Sequence, residues 1–130
     1  SDRDNKELRE LWKPILDEFK VDLVLSGHDH TYARTGKVDT LGLTNVPAGY
    51  QQAYDPEIGT VYVVSVSGPK MYPITKGNYA KKFAENTQLY QIINVNDLSL
   101  KYEAYKATGD LYDTFTLQKR EGEPNLLIEQ

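Results

Sequence analysis

The sequence predicts an α/β chain, α+β when taken by itself, built as an N-terminal helix, one buried strand and then mainly antiparallel strands. Three observations carry this. Apolar residues recur at helical spacing from Leu8 to Phe19; a short aliphatic run, Val21 to Ser26, ends at Gly27; and three alternating runs near the C-terminus are separated by turn residues.

Leu8, Leu11, Trp12, Ile15, Leu16 and Phe19 fall at the i, i+3, i+4, i+7 positions of an amphipathic helix, which predicts a helix over about residues 4–20 with Asp2 and Asp4 as caps. Pro14 has no N–H and its ring presses on the preceding turn, so a kink or restart is expected there. The run Val21-Asp22-Leu23-Val24-Leu25-Ser26 reads as a strand buried on both faces. Such a strand needs parallel neighbours, and because no strand precedes it, an upstream half of the domain is expected to be missing. Residues 31–54 contain Gly36, Gly42, Pro47 and Gly49 and read as a long loop with a short strand near Lys37–Thr40. Thr60–Ser67 is a strand closed by Gly68-Pro69, and residues 70–85 read as irregular. Strands are predicted near Gln88–Val95, Leu98–Lys106 and Leu111–Gln118, joined by Asn96-Asp97 and Thr108-Gly109-Asp110 as an antiparallel meander. Arg120–Gln130 is expected to be a tail or an edge segment.

Composition narrows the function classes. The 130 residues suit one domain, and 39% hydrophobic residues with ten tyrosines argue for a folded chain. A net charge of −4 with Lys and Arg scattered along the chain offers no basic stripe, so nucleic acid is not an expected partner. No apolar run approaches the ~20 residues of a membrane span. With no cysteine, disulfides and thiolate metal sites are excluded, and no redox clue to compartment exists.

The two histidines of the chain, His28 and His30, sit together in Gly27-His28-Asp29-His30, directly after the strand. Carboxyl ends of parallel strands are where α/β sheets collect ligands. Imidazoles two residues apart in extended backbone point to one side, toward one metal or toward two metals ~3.5–4 Å apart. Gly27 would let the backbone turn sharply and approach the ions. A polar turn at a strand end explains the same residues without metal.

The stretch Val21-Asp22-Leu23-Val24-Leu25-Ser26-Gly27-His28-Asp29-His30-Thr31-Tyr32-Ala33-Arg34 resembles the last motif of calcineurin-like metallophosphoesterases of the purple acid phosphatase type: glycine, histidine, any residue, histidine, then tyrosine and arginine. The Leu11-Trp12-Lys13-Pro14-Ile15-Leu16 helix and the Gly59–Ser65 strand fit the same pattern, so the resemblance covers most of residues 7–69. It implies that this is the C-terminal part of such a domain, a β-sandwich flanked by helices whose upstream half lies elsewhere. It also implies that His28 ligates one metal and His30 the other, that the ions are Fe, Zn or Mn, and that the substrate of the parent enzyme is a phosphate ester. Asp29 occupies a variable position and is not implied as a ligand. Tyr32 and Arg34 are expected to brace the loop, with Arg34 a candidate substrate contact.

An exported or periplasmic location is implied by the same resemblance. The family's other ligand motifs are absent: there is no Gly-Asn-His and no third histidine. Two-metal hydrolysis needs a bridging carboxylate and terminal ligands on both ions, so no catalytic residue is assigned and this chain alone is expected to bind metal weakly and to be inactive. The alternative is a non-catalytic β-rich binding module whose tyrosines line a recognition face; in that case several tyrosines would be exposed together, whereas packing tyrosines would be protected. Unpaired edges of the 21–26 strand predict self-association into a homo-oligomer.

Overall fold

A computed structural model describes residues 6–38, 59–74 and 80–130. The predicted caps Asp2 and Asp4, and residues 39–54 of the predicted loop, lie outside the described residues. The order of elements is α1 (Lys6–Glu18), β1 (Leu23–Ser26), β2 (Tyr32–Val38), β3 (Thr60–Val64), β4 (Lys82–Ala84), β5 (Leu89–Val95), β6 (Ser99–Lys106), β7 (Leu111–Arg120) and β8 (Glu123–Glu129). The protein is thus mixed α/β, with one helix and two four-stranded sheets among the described residues, ordered β1-β3-β2-β4 and β5-β6-β7-β8.

Helix α1 runs through Pro14 as one piece, correcting the expected restart. Proline removes a single N–H, and the hydrogen bonds on either side suffice to carry the ladder past it. Its C-terminus closes in a Schellman arrangement: Val21 N–H donates to the Leu16 carbonyl at 2.9 Å and Lys20 N–H to the Asp17 carbonyl at 3.0 Å, with Lys20 left-handed at φ 52°.

Among the described residues the apolar stripe of the helix meets no core. Leu11, Trp12 and Phe19 are 64%, 54% and 72% exposed, and the buried residue is Lys13, paired with Asp17 at 2.6 Å. The strand expected to be buried on both faces also needs correcting: in β1, Leu23 and Val24 are half-buried while Leu25 and Ser26 are exposed. The reason is position, because β1 is an edge strand with β3 on one side and no strand on the other among the described residues. The parallel neighbour on its paired side, β3, comes from downstream, with Leu23 to Ser26 opposite Val61 to Val64.

Residues 32–38, expected to be loop, form the antiparallel strand β2, central in its sheet between β3 and β4. A bulge between Arg34 and Lys37 interrupts the ladder, and the Thr35 hydroxyl accepts the Tyr62 N–H at 3.0 Å in place of a backbone carbonyl. The expected irregular stretch 70–85 likewise contains β4.

The meander β5-β6-β7 matches the predicted strands, pairing Leu89 with Lys106 through Val95 with Leu100, and Leu100 with Leu117. The C-terminal segment is the edge strand β8, opposite β7 from Phe115–Glu129 to Arg120–Glu123. One core joins the sheets: Tyr32, Val61, Val63 and Ala84 from the first pack with Leu89, Tyr102, Ala104, Phe115 and Leu117 from the second.

Candidate functional site

Strands β1 and β3 run in parallel, so their carboxyl ends reach the same edge of the sheet. The segments leaving these ends, Gly27–Thr31 and Ser65–Tyr72, carry the candidate residues. Ser65 N–H donates to the Ser26 carbonyl at 3.1 Å, extending the pairing by one step before the chains diverge.

The sharp turn expected at Gly27 is made by the next residue. Gly27 is not left-handed, and a Cβ built there would lie 3.9 Å from the Ser65 carbonyl oxygen, an ordinary contact. His28 is left-handed at φ 76°, a conformation that L-residues adopt at a cost of about 1–2 kcal/mol and that concentrates at functional sites. Its side chain is exposed, whereas Asp29 and His30 are half-buried.

His30 is held on three sides. Its Nδ1 lies 2.6 Å from the Lys70 carbonyl oxygen, its own carbonyl accepts the Tyr72 N–H at 3.0 Å, and its ring stacks on Tyr72 with centroids 4.7 Å apart. A carbonyl can only accept, so Nδ1 carries the proton and Nε2 keeps the free lone pair. The Lys70 ammonium lies 5.3 Å from the centre of the Tyr72 ring. Lys70 and Tyr72 were invisible as site residues in the sequence. The available signal was Gly68-Pro69-Lys70-Met71-Tyr72 following one strand as Gly27-His28-Asp29-His30 follows another, which matters only once the two strands are known to be adjacent and parallel.

Tyr32 and Arg34 point into the junction between the sheets. The Tyr32 hydroxyl donates to Asp113 Oδ2 at 2.6 Å and lies 3.3 Å from the Tyr102 hydroxyl. Arg34 gives Nε to Asp113 Oδ2 at 2.7 Å, Nη2 to Asp113 Oδ1 at 3.1 Å and Nη1 to Glu129 Oε1 at 2.6 Å; Lys81 completes the chain on Glu129 Oε2 at 2.7 Å. Tyr32, Arg34 and Asp113 are all at most 4% exposed. Burial pushes the Tyr102 hydroxyl up to about 12 and, with Tyr102 and Asp113 beside it, raises that of Tyr32 further. For Arg34, burial acts to lower and the bonds to Asp113 and Glu129 to raise; the bonds win. Glu129 shows the opposite balance, with burial raising its carboxyl and the stronger combined effect of Lys81 and Arg34 holding it below the usual range. Asp113 was missed in the sequence, although an acid at the inward parity of β7 beside Phe115 and Leu117 was a usable sign.

As donors, the site offers two imidazoles. Among the described residues no group of three or more His, Asp or Glu side chains gathers to hold a metal ion. Two imidazoles are fewer donors than a metal shell needs, and of these His30 offers its Nε2, since Nδ1 is taken by the Lys70 carbonyl. No described helix is long and apolar enough to cross a membrane. The tyrosines divide: Tyr32 and Tyr102 are core, while Tyr90 and Tyr105 stack at 5.6 Å on the outer face of the second sheet, with Tyr90 44% exposed.

Comparison with known proteins adds two relatives. They are uncharacterized proteins from two strains of Mycobacterium tuberculosis, each 34% identical to this chain over 71 residues, which is 51% of this chain and 13% of the relative. The chain therefore spans about 13% of the length of the curated relatives it matches. No family model matches the sequence, and no solved structure matches the chain.

Proposed function

We propose that this chain is the C-terminal part of a calcineurin-like metallophosphoesterase domain of the purple acid phosphatase type, and that His28 and His30 each give one ligand to a pair of metal ions. The observation that carries this reading is the placement of the pair where two parallel strands end, with the Nδ1 of His30 satisfied by a carbonyl so that Nε2 is left for a metal. The left-handed backbone of His28 supports it, because strain at an exposed histidine calls for a role beyond packing.

When bound, such a pair of ions, Fe, Zn or Mn, would activate water and neutralise a phosphate ester. This chain's own contribution is to hold two imidazoles at the sheet edge and to fix the strand that bears them. Arg34, whose guanidinium is engaged by Asp113 and Glu129, braces the two sheets and is not proposed to reach substrate. The bridging carboxylate and remaining ligands would come from an upstream half of the domain. The stripe of α1 and the edge of β1, uncovered among the described residues, are surfaces suited to it, and in the isolated chain they would drive self-association. An extracytoplasmic location belongs to the same proposal.

The test is metal content and calorimetric titration with Zn, Mn and Fe, beside the variant His28→Ala/His30→Ala, together with an assay on a generic phosphomonoester. Weak binding abolished by the double substitution, without turnover, is the expected outcome. Turnover that survives rigorous purification and disappears with His28→Ala would refute the half-site assignment, and binding unchanged in the double variant would refute the role of the histidines.

A second reading has one observation in its favour. The stacked Tyr90–Tyr105 pair on the outer face, with the exposed Ile92 two residues along the same strand, would suit a binding module with no metal chemistry. It predicts that substitutions at Tyr90, and not at His28 or His30, remove whatever binding the chain has.

A further inference from the structure

We infer that the segment Ser67–Tyr72 is a positioning device for His30, with Lys70 acting through its backbone carbonyl and Tyr72 through its ring. This rests on the metallophosphoesterase reading for its purpose, but the arrangement itself is testable without metal. Three contacts define it. The Lys70 carbonyl takes the Nδ1 proton at 2.6 Å, the Tyr72 N–H binds the His30 carbonyl at 3.0 Å, and the Tyr72 ring lies against the imidazole at an interplanar angle of 30°. The first fixes the tautomer, the second ties the two segments together, and the third restricts rotation about the Cβ–Cγ bond.

The rest of the segment explains how a carbonyl can be held there. Pro69 restricts the backbone just before Lys70. Gln88 Nε2 donates to the Ser67 carbonyl at 3.1 Å, and Leu89 N–H to the Val66 carbonyl at 3.3 Å, so the start of the segment is tethered to the entry of β5. His30 is therefore oriented by a backbone carbonyl and an aromatic face, with no carboxylate taking the Nδ1 proton.

Tyr72 is a positioning residue, and its test must read the imidazole itself. The measurement is two-bond 1H–15N correlation of the 15N-labelled chain, at a pH about two units above the usual histidine range so that the ring is neutral. Because the chain has only two histidines, His28→Ala leaves His30 as the single signal.

The expected result is an Nδ1–H tautomer favoured roughly tenfold, the bias one hydrogen bond of ordinary strength gives. Tyr72→Ala should reduce the bias at least threefold, and Tyr72→Phe should restore it. A wild-type spectrum dominated by the Nε2–H form overturns the inference, and this arm needs no variant at Tyr72 to fold. A bias unchanged in Tyr72→Ala overturns the role of the ring. Adding millimolar Zn2+ to the unsubstituted chain, whose His30 signal the His28→Ala spectrum identifies, separates the two levels. A shift at Nε2 with Nδ1–H retained supports both. Nδ1–H retained with Nε2 unmoved leaves the positioning in place and counts against the metallophosphoesterase reading.

Discussion

Asp113→Ala removes the acceptor shared by Tyr32 and Arg34 and leaves a guanidinium inside the protein with Glu129 as its remaining carboxylate. Breaking a buried ion pair by deleting one member costs about 3–5 kcal/mol, since the other charge stays buried. Two features of the structure move the estimate in opposite directions. Glu129 still receives Nη1 at 2.6 Å and offsets part of the loss, whereas the Tyr32 hydroxyl also loses its 2.6 Å bond and keeps only Tyr102 at 3.3 Å. We expect about 3–4 kcal/mol, a large share of the ~5–15 kcal/mol that stabilises a domain.

Urea unfolding followed by far-ultraviolet circular dichroism measures this. With a slope of about 2 kcal/mol per molar, the midpoint should fall by roughly 1.5–2 M. The control is Arg34→Met/Asp113→Leu, which removes both charges and should be more stable than Asp113→Leu alone. A loss below about 1 kcal/mol, or strictly additive effects of the two substitutions, would refute the idea that this pair joins the sheets.

Alkaline pH should weaken the same junction. Tyr32 and Tyr102 titrate higher folded than unfolded, so their contribution is complete below the ordinary tyrosine value of about 10 and is lost as pH climbs through about 12, by up to ~1.4 kcal/mol per pH unit for each. Equal urea midpoints at pH 8 and pH 11 would contradict this. His28→Gly should stabilise the fold by about 1 kcal/mol through relief of its φ of 76°, as should Lys20→Gly at φ 52°, but only the first should weaken Zn2+ binding; a destabilised His28→Gly chain would mean the backbone there is not strained. Light scattering after size exclusion should show concentration-dependent association that Leu11→Glu/Phe19→Glu reduces, and a monomer at high concentration in the unmodified chain would remove the case for a sticky helix face.

What the sequence made legible follows from how each element buries its residues. In the meander, inward Leu89 and Ile93 alternate with outward Tyr90 and Ile92, and the turns carry Asn96 and Gly109, so pattern and punctuation agree. Strand β2 escaped because two of its buried residues, Arg34 and Thr35, are polar; their burial depends on Asp113, Glu129 and Tyr62, from 27 to 95 positions away. Strand β4 is three residues long, too short for a period, and β8 has Pro124 and Asn125 directly after its first residue and holds an edge, where alternation is weakest. Helix α1 was legible as a helix, but the fate of its stripe was not, because periodicity shows that a face is apolar and not what covers it. At the site, the histidine pair was plain while its supports were not. Lys70 acts through a carbonyl, which no side-chain pattern reveals.

The bonds from Arg34 to Asp113 and Glu129 also govern when the histidine segment can acquire its shape. They close loops of 79 and 95 residues, and Asp22, at the entry to β1, is likewise tied to Lys119 at 2.6 Å and to Asn125. Closing loops of that length is entropically costly and is repaid only when both sheets meet. During synthesis, the Gly27–Thr31 segment would therefore leave the ribosome long before its anchors exist. The full bracing of the strand that follows it would be a late event of folding, arriving with β7 and β8, and a chain halted before β7 would carry both histidines beside a strand held by β3 and β4 alone, its Arg34 still without Asp113 and Glu129.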